Sequence, residues 1–144
     1  MEPKRKIGIS SDNKEMHYSV GIILICNGKY LLMDRINPPP GFASPAGHID
    51  EGEEPMEAAI RELKEETGIE KGNLEFVCEE EILWNYCKSI KGHYWYLYRA
   101  LVDKEDMVID KDEAKSMKWY TVEEIKEMQL EEVWSYWFKK LEII

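Results

Sequence analysis

Apolar and polar positions along the chain alternate in two different periods, and the change of period marks the elements. His17 to Cys26 (HYSVGIILIC) is a run rich in β-branched and aromatic residues, and Asn27-Gly28 closes it with a strong short hairpin signal. Lys29 to Arg35 then returns as an antiparallel partner. Pro38-Pro39-Pro40-Gly41 breaks regular structure, and this segment is expected as a rigid loop that delivers Phe42 to Gly47 toward the helix. From Pro55 the period becomes helical: Met56, Ile60 and Leu63 recur on one face, with Thr67 ending the stripe. Proline suits the first helical position and glycine the left-handed stop, so Pro55 and Gly68 frame one helix over about Pro55 to Thr67.

Beyond that helix the pattern returns to strands. Residues 74 to 90 read as one long or broken strand, and a turn at Lys91-Gly92 leads into His93 to Val102. Alternation there puts Tyr94, Tyr96 and Tyr98 on one face and His93, Trp95 and Leu97 on the other. A short strand is expected at Met107 to Ile109 and a last one at Ser116 to Tyr120. Thr121-Val122-Glu123-Glu124 is a capping box that starts a short helix. The C-terminal segment repeats Leu130, Val133, Trp134, Trp137, Phe138 and Leu141 at helical spacing, a stripe suited to packing on the sheet and, secondarily, to a dimer surface. Residues 1 to 15 carry charge without an apolar run and are expected as a mobile arm before a single domain spanning residues 16–144.

Composition narrows the class. The 144 residues are 44% hydrophobic and 33% charged, which suits one globular domain that builds its core without disulfides. The formal net charge is −10, spread along the chain, so duplex nucleic acid and anionic membranes are poor partners. Such a surface also repels a phosphorylated substrate unless cations bridge the two. Cys26, Cys78 and Cys87 are scattered without CxxC spacing, which suits reduced thiols in a cytoplasmic protein rather than a zinc site.

The helix carries the chemistry. Glu62, Glu65 and Glu66 lie at i, i+3 and i+4, on one face, where three like charges repel one another unless a cation is near. A hard divalent ion that prefers oxygen ligands and retains waters, Mg²⁺ first and Mn²⁺ as the alternative, answers that need. Arg61 falls beside this face, within reach of Glu57 and Glu65, each four residues away. His48 adjoins the same region, but an imidazole is a poor magnesium ligand, so it is expected to be structural or substrate-facing.

The order Gly47, five residues, Glu53, seven residues, Arg61-Glu62-Leu63, one residue, Glu65-Glu66, one residue, Gly68-Ile69 resembles the signature of the Nudix hydrolases. Ala46-Gly47 stands where members often carry two glycines. The resemblance implies an α/β/α sandwich, a mixed sheet flanked by the signature helix and a C-terminal helix. It also implies hydrolysis of a phosphoanhydride in a nucleoside diphosphate linked to another group. Carried onto this sequence, the catalytic residues are Glu62, Glu65, Glu66 and Arg61, and the metal ligands are the Gly47 carbonyl, Glu62, Glu65, Glu66 and Glu113. Asp112 and Asp110 stand behind Glu113. Gly52 is expected to allow a tight approach to the helix, and Glu53 to stabilise the loop before it.

Arg35, Phe42, Trp84 and Tyr86 are the candidate substrate-binding residues. By the resemblance, members specialised for ADP-ribose carry a proline shortly past the signature, which this chain lacks, and members acting on dinucleoside polyphosphates tend to carry a tyrosine roughly where Tyr86 falls. The expected substrate is a small nucleotide, a nucleoside triphosphate or related compound, with dinucleoside polyphosphates as the alternative. A nucleotide-binding sensor without catalysis is the alternative of another class, and the protein is expected as a monomer or homodimer.

Overall fold

The strand over Glu15–Cys26 (β2) is the axis of the fold, buried on both faces along most of its length, as its near-continuous apolar run GIILIC requires. The computed structural model describes residues 4–35, 41–85, 92–103 and 114–144. Around β2 it places strands Ile7–Ile9 (β1), Lys29–Arg35 (β3), Phe42–Ala43 (β4), Ala46–His48 (β5), Glu75–Ile82 (β6), Gly92–Leu101 (β7) and Ala114–Tyr120 (β8). The helices are Pro55–Thr67 (α1), Val122–Lys126 (α2) and Glu132–Lys140 (α3). All the described strands join one mixed sheet. Along one edge of β2 lie β1, β5 and β3, all antiparallel, and along the other runs β7, parallel from Met16↔Gly92 to Ile25↔Leu101.

Alternation along β2 divides the core between two layers. Val20, Ile22 and Leu24 face one side, where they meet Ala58, Ala59 and Leu63 of α1 together with Tyr98 and Met117. Ile23 faces the other, where Trp95 and Leu97 of β7 pack beneath Val133, Trp134, Trp137 and Phe138 of α3. This is the expected α/β/α arrangement. Gly21 lies on the α3 side, and a Cβ added there would meet Trp134 Cη2 at 2.6 Å and Leu97 Cδ2 at 2.9 Å. The indole therefore rests directly on the β2 backbone.

Local signals read from the sequence recur in the structure. Asn27 and Gly28 both take positive φ, 51° and 75°, as a tight type I′ hairpin requires. Gly68 is left-handed at φ 78° and its N–H donates to the Lys64 carbonyl, ending α1 where expected. At α2 the Thr121 N–H donates to Glu124 Oε1 at 2.9 Å, and the Glu124 N–H returns to Thr121 Oγ1 at 3.2 Å.

Several expectations are corrected. The arm through residue 15 contains β1, whose pairing of Ile7–Ile9 with His17–Glu15 ties it to the sheet. Phe42, expected in a loop, lies in β4, which pairs with β3, and β5 pairs with β2, which satisfies backbone groups that a loop would leave open, while Pro38 to Pro40 lie outside the described residues. The strand expected over residues 74 to 90 stops at Ile82 and gives way to a turn at Leu83 and Trp84. The apolar stripe of α3 packs on the sheet, as first expected, with Val133, Trp134, Trp137 and Phe138 buried and Leu130 and Leu141 partly covered. Gly52 has open space around its Cα, so its role lies in its φ of 83° rather than in close approach. The strand at Met107 to Ile109, the turn residue Lys91 and Cys87 lie outside the described residues. No helix among the described residues is long and apolar enough to cross a membrane.

Glu131, at the N-cap of α3, is buried, with Arg35 at 3.9 Å as its ionic partner. Burial pushes its carboxyl up from the ordinary 4.5 to about 7, against the opposing pull of Arg35. A carboxyl raised on folding binds its proton more tightly in the native state. Its contribution therefore falls as pH rises from 4.5 to about 7 and is level above that. Glu131→Gln should flatten this part of the stability profile and raise the unfolding midpoint at pH values above it, as read from urea titrations of both proteins across the range. Gly21→Ala should destabilise by about 1–3 kcal/mol in the same measurement, because the fully buried Trp134 ring has nowhere to retreat.

Candidate active site

Two backbone positions on β5 set the geometry of the carboxylates on α1. The buried Ala46 N–H donates to Glu66 Oε2 at 2.9 Å, which pins that carboxylate against the strand. At the next residue a Cβ would meet Glu62 Cδ at 2.1 Å and its two oxygens at 2.3 and 2.4 Å. Glycine at position 47 is therefore a steric requirement, since the Glu62 carboxylate occupies the space of its missing side chain. Glu65, on the same helical face, keeps more than half of its side chain open to solvent.

Arg61 ties this face to the loop before α1. Its Nε and Nη2 donate to Glu53 at 2.7 and 3.0 Å, a two-pronged pairing that holds the Glu53 carboxyl below its ordinary range and raises Arg61. Its Nη1 donates to Glu62 at 2.8 Å and Glu65 at 3.2 Å, Nη2 also donates to the His48 carbonyl at 3.0 Å, and Asp50 lies 3.5 Å away. Glu57, expected as a partner of Arg61, instead accepts the Glu54 N–H at 2.9 Å and caps the helix. Glu53 additionally accepts the Asp50 N–H at 3.0 Å, closing the turn. Spacing of four along a helix suggested Glu57, whereas the loop folding back over the helix brings Glu53 from eight residues away.

One guanidinium thus serves Asp50, Glu53, Glu62 and Glu65, with Glu66 adjacent, and the region keeps a large excess of negative charge. Oxygen donors crowded in this way on one rigid helix face fit a hard divalent ion. Glu62, Glu65 and Glu66 share this helical face, and by the resemblance they are the side chains that would hold one, with the Gly47 backbone beside Glu62.

The remaining candidates are dispersed. Arg35 pairs with Glu131, and its charge acts on His48. Phe42 packs edge-on to Tyr120 at 5.9 Å against the α3-side core, so its ring is committed to packing. Trp84 is 43% exposed while touching Tyr136 edge-on at 5.6 Å, which leaves a face of the indole accessible. Tyr86, Glu113, Asp112 and Asp110 lie outside the described residues. Sequence reasoning passed over the Ala46 N–H as an anchor, and its one signal was the small residue beside Gly47.

The chain is similar to known proteins in sequence and in fold. A family model for the NUDIX domain matches residues 15–140. An RNA pyrophosphohydrolase of Cereibacter sphaeroides is 39% identical over 115 residues, covering 69% of this chain and 71% of that protein. An asymmetrical bis(5′-nucleosyl)-tetraphosphatase of Caenorhabditis elegans is 35% identical over 101 residues, covering 67% and 70%. In fold, the chain is similar to the NUDIX domain of Shewanella oneidensis NrtR, solved with ADP ribose, with TM-score 0.77 and 21% identity over 90% of this chain and 88% of that one.

Gly47→Ala separates stability from site geometry. The clashing atoms are the far end of a flexible side chain, so the protein should fold with little loss of stability while Glu62 swings away. Mn²⁺ affinity, followed by the electron paramagnetic resonance of the free ion, should fall by about 10–100-fold. Unchanged affinity in a folded variant would mean that Glu62 takes no part in holding the ion.

Proposed function

The chain belongs to the NUDIX family, and from that premise we propose that it is a divalent-metal-dependent pyrophosphohydrolase acting on a phosphoanhydride carried by a nucleotide. The observation that carries this reading is the fixed placement of Glu62 and Glu66 against β5 with Glu65 open beside them. A bound Mg²⁺ or Mn²⁺ would neutralise the diphosphate and lower the pKa of the attacking water. The protein's own contribution is orientation: Arg61 and the Ala46 N–H hold the carboxylates at fixed angles, so little reorganisation accompanies reaction. Glu66 is enclosed and hydrogen-bonded, which suits a permanent ligand. Glu65, half open and on the helix face toward solvent, is the carboxylate with room to receive the water's proton. Glu113 is assigned by resemblance as a further ligand.

One relative is named an RNA pyrophosphohydrolase and the other an asymmetrical bis(5′-nucleosyl)-tetraphosphatase, so both names point to phosphoanhydrides joined to nucleotides. We take the shared element, a nucleoside 5′-polyphosphate, as the substrate class. The accessible face of Trp84 offers a stacking surface for a base, and Arg35 a charge for phosphate. The free thiols of Cys26 and Cys78 suit a reducing cytoplasmic setting.

The decisive experiment is a substrate panel with Mg²⁺ and with chelator: nucleoside triphosphates, a diadenosine tetraphosphate, ADP-ribose and a short 5′-triphosphorylated RNA. Turnover of at least one polyphosphate, abolished by chelator, is expected. Glu66→Gln should fold and lose at least about 10²-fold in kcat. Wild-type rates from that variant would remove Glu66 from the mechanism, and inactivity across the panel would favour a binding domain.

A further inference from the structure

On the side of the sheet away from the carboxylates, three histidines from three strands converge. His17 on β2 and His93 on β7 are direct register partners, and His48 on β5 stands opposite Ser19, two residues along β2 from His17. Period-two alternation therefore sends all three to one face. Each offers a ring nitrogen, and these atoms all lie within 4.8 Å of one another. His17 and His93 are buried and His48 is partly so. We propose that His17, His48 and His93 form a binding site for a divalent transition metal of the zinc class, distinct from the carboxylate site on α1.

The donor atoms are already close to the required geometry. His48 Nε2 and His93 Nε2 are 3.1 Å apart, against about 3.4 Å between two nitrogens of a tetrahedral zinc with Zn–N near 2.0–2.1 Å. The His17 ring nitrogen lies within 4.8 Å of both. The outer partner is in place as well: His93 Nδ1 lies 2.6 Å from the Asn85 carbonyl, which can only accept. Nδ1 therefore carries the proton, and the Nε2 lone pair points at the cluster, the arrangement that orients imidazole ligands around metals. Asn85 is fixed in turn, since its side-chain oxygen accepts from Trp95 Nε1 at 3.0 Å.

Ligand chemistry sets the class of ion. Imidazole nitrogen suits Zn²⁺, Ni²⁺ and Cu²⁺, whereas the oxygens of α1 suit Mg²⁺ and Mn²⁺, so an excess of Mg²⁺ is needed to keep Zn²⁺ off the carboxylates. Three protein ligands leave a fourth position to water or an anion. A bound ion would clamp β2, β5 and β7 together at one end of the sheet. The proposal stands independently of the hydrolase reading.

The test uses the full chain, stripped by chelator and then titrated with Zn²⁺ in excess Mg²⁺ to fill the carboxylates. Binding of one Zn²⁺ per chain by calorimetry and a rise in Tm are expected. His48→Gln and His93→Gln should each weaken Zn²⁺ more than about tenfold and abolish the Tm rise, while Glu66→Gln leaves both intact. Should His93→Gln not fold, the less buried His48→Gln decides, supported by Co²⁺ substitution, which should give the intense visible bands of a tetrahedral nitrogen site. Absence of Zn²⁺ binding at micromolar concentration, binding indifferent to the histidine variants, or binding lost in Glu66→Gln would each overturn the proposal.

Discussion

Like-charge repulsion on one helix face is the constraint around which this structure is built. Glu62, Glu65 and Glu66 gain nothing from one another, and α1 tolerates them because Arg61 spreads one guanidinium over Glu53, Glu62, Glu65 and the His48 carbonyl. The same side chain fastens the turn between β5 and α1, through Glu53 to the Asp50 N–H. The Arg61 guanidinium organises these carboxylates without matching their charge one for one, which leaves room for a further cation. An arrangement with matched charges would be more stable and would have no reason to bind an ion.

The sheet supplies what the charges need, a rigid wall on which α1 cannot shift. Ala58 and Ala59 bring the helix close to β2, and Leu63 locks it among Val20, Ile22 and Leu24. Small residues on the inner face of the helix and no side chain at Gly47 let the carboxylates approach the strand backbone itself. On the opposite face, Trp134 lies on Gly21 and seals the second layer. The active-site wall is thus buried from both sides, which fits the parallel pairing of β2 with β7.

Much of this was legible in the sequence because it depends on short-range chemistry. Pro55, Gly68, Asn27-Gly28 and the Thr121–Glu124 box each act within a few residues, and each element they delimit is present. The carboxylate spacing likewise follows from helical geometry alone. What escaped reading depends on pairing between distant segments. Periodicity on α1 pointed Arg61 to Glu57, but the folded-back loop delivers Glu53 with better geometry. Ile7–Ile9 is too short to announce itself and exists because β2 offers it an edge. Phe42 could be read from the sequence as a base contact or a cap on the core, and it is backbone bonding to the distant Gln129 and Glu131 that draws its ring into the α3 layer. The histidine cluster has no local signature, since His17 and His93 meet only through the register of a parallel pair.

That register also explains how two kinds of site can share one three-residue strand. Gly47 and His48 are neighbours in sequence, and alternation turns one toward Glu62 and the other toward His93. A slip of a single residue along β2 would exchange them, placing an imidazole where the Glu62 carboxylate must sit. Such a short strand cannot hold its register by length. It is held instead at both ends: the Ile22 N–H donates to the Pro45 carbonyl at 2.9 Å, and the Ile49 N–H to the Tyr18 carbonyl at 2.8 Å. Glu66 on the Ala46 N–H and Arg61 on the His48 carbonyl add two side-chain bonds from α1. The catalytic helix therefore fixes the register of the strand that shapes it, so the carboxylate geometry and the sheet edge stand or fall together.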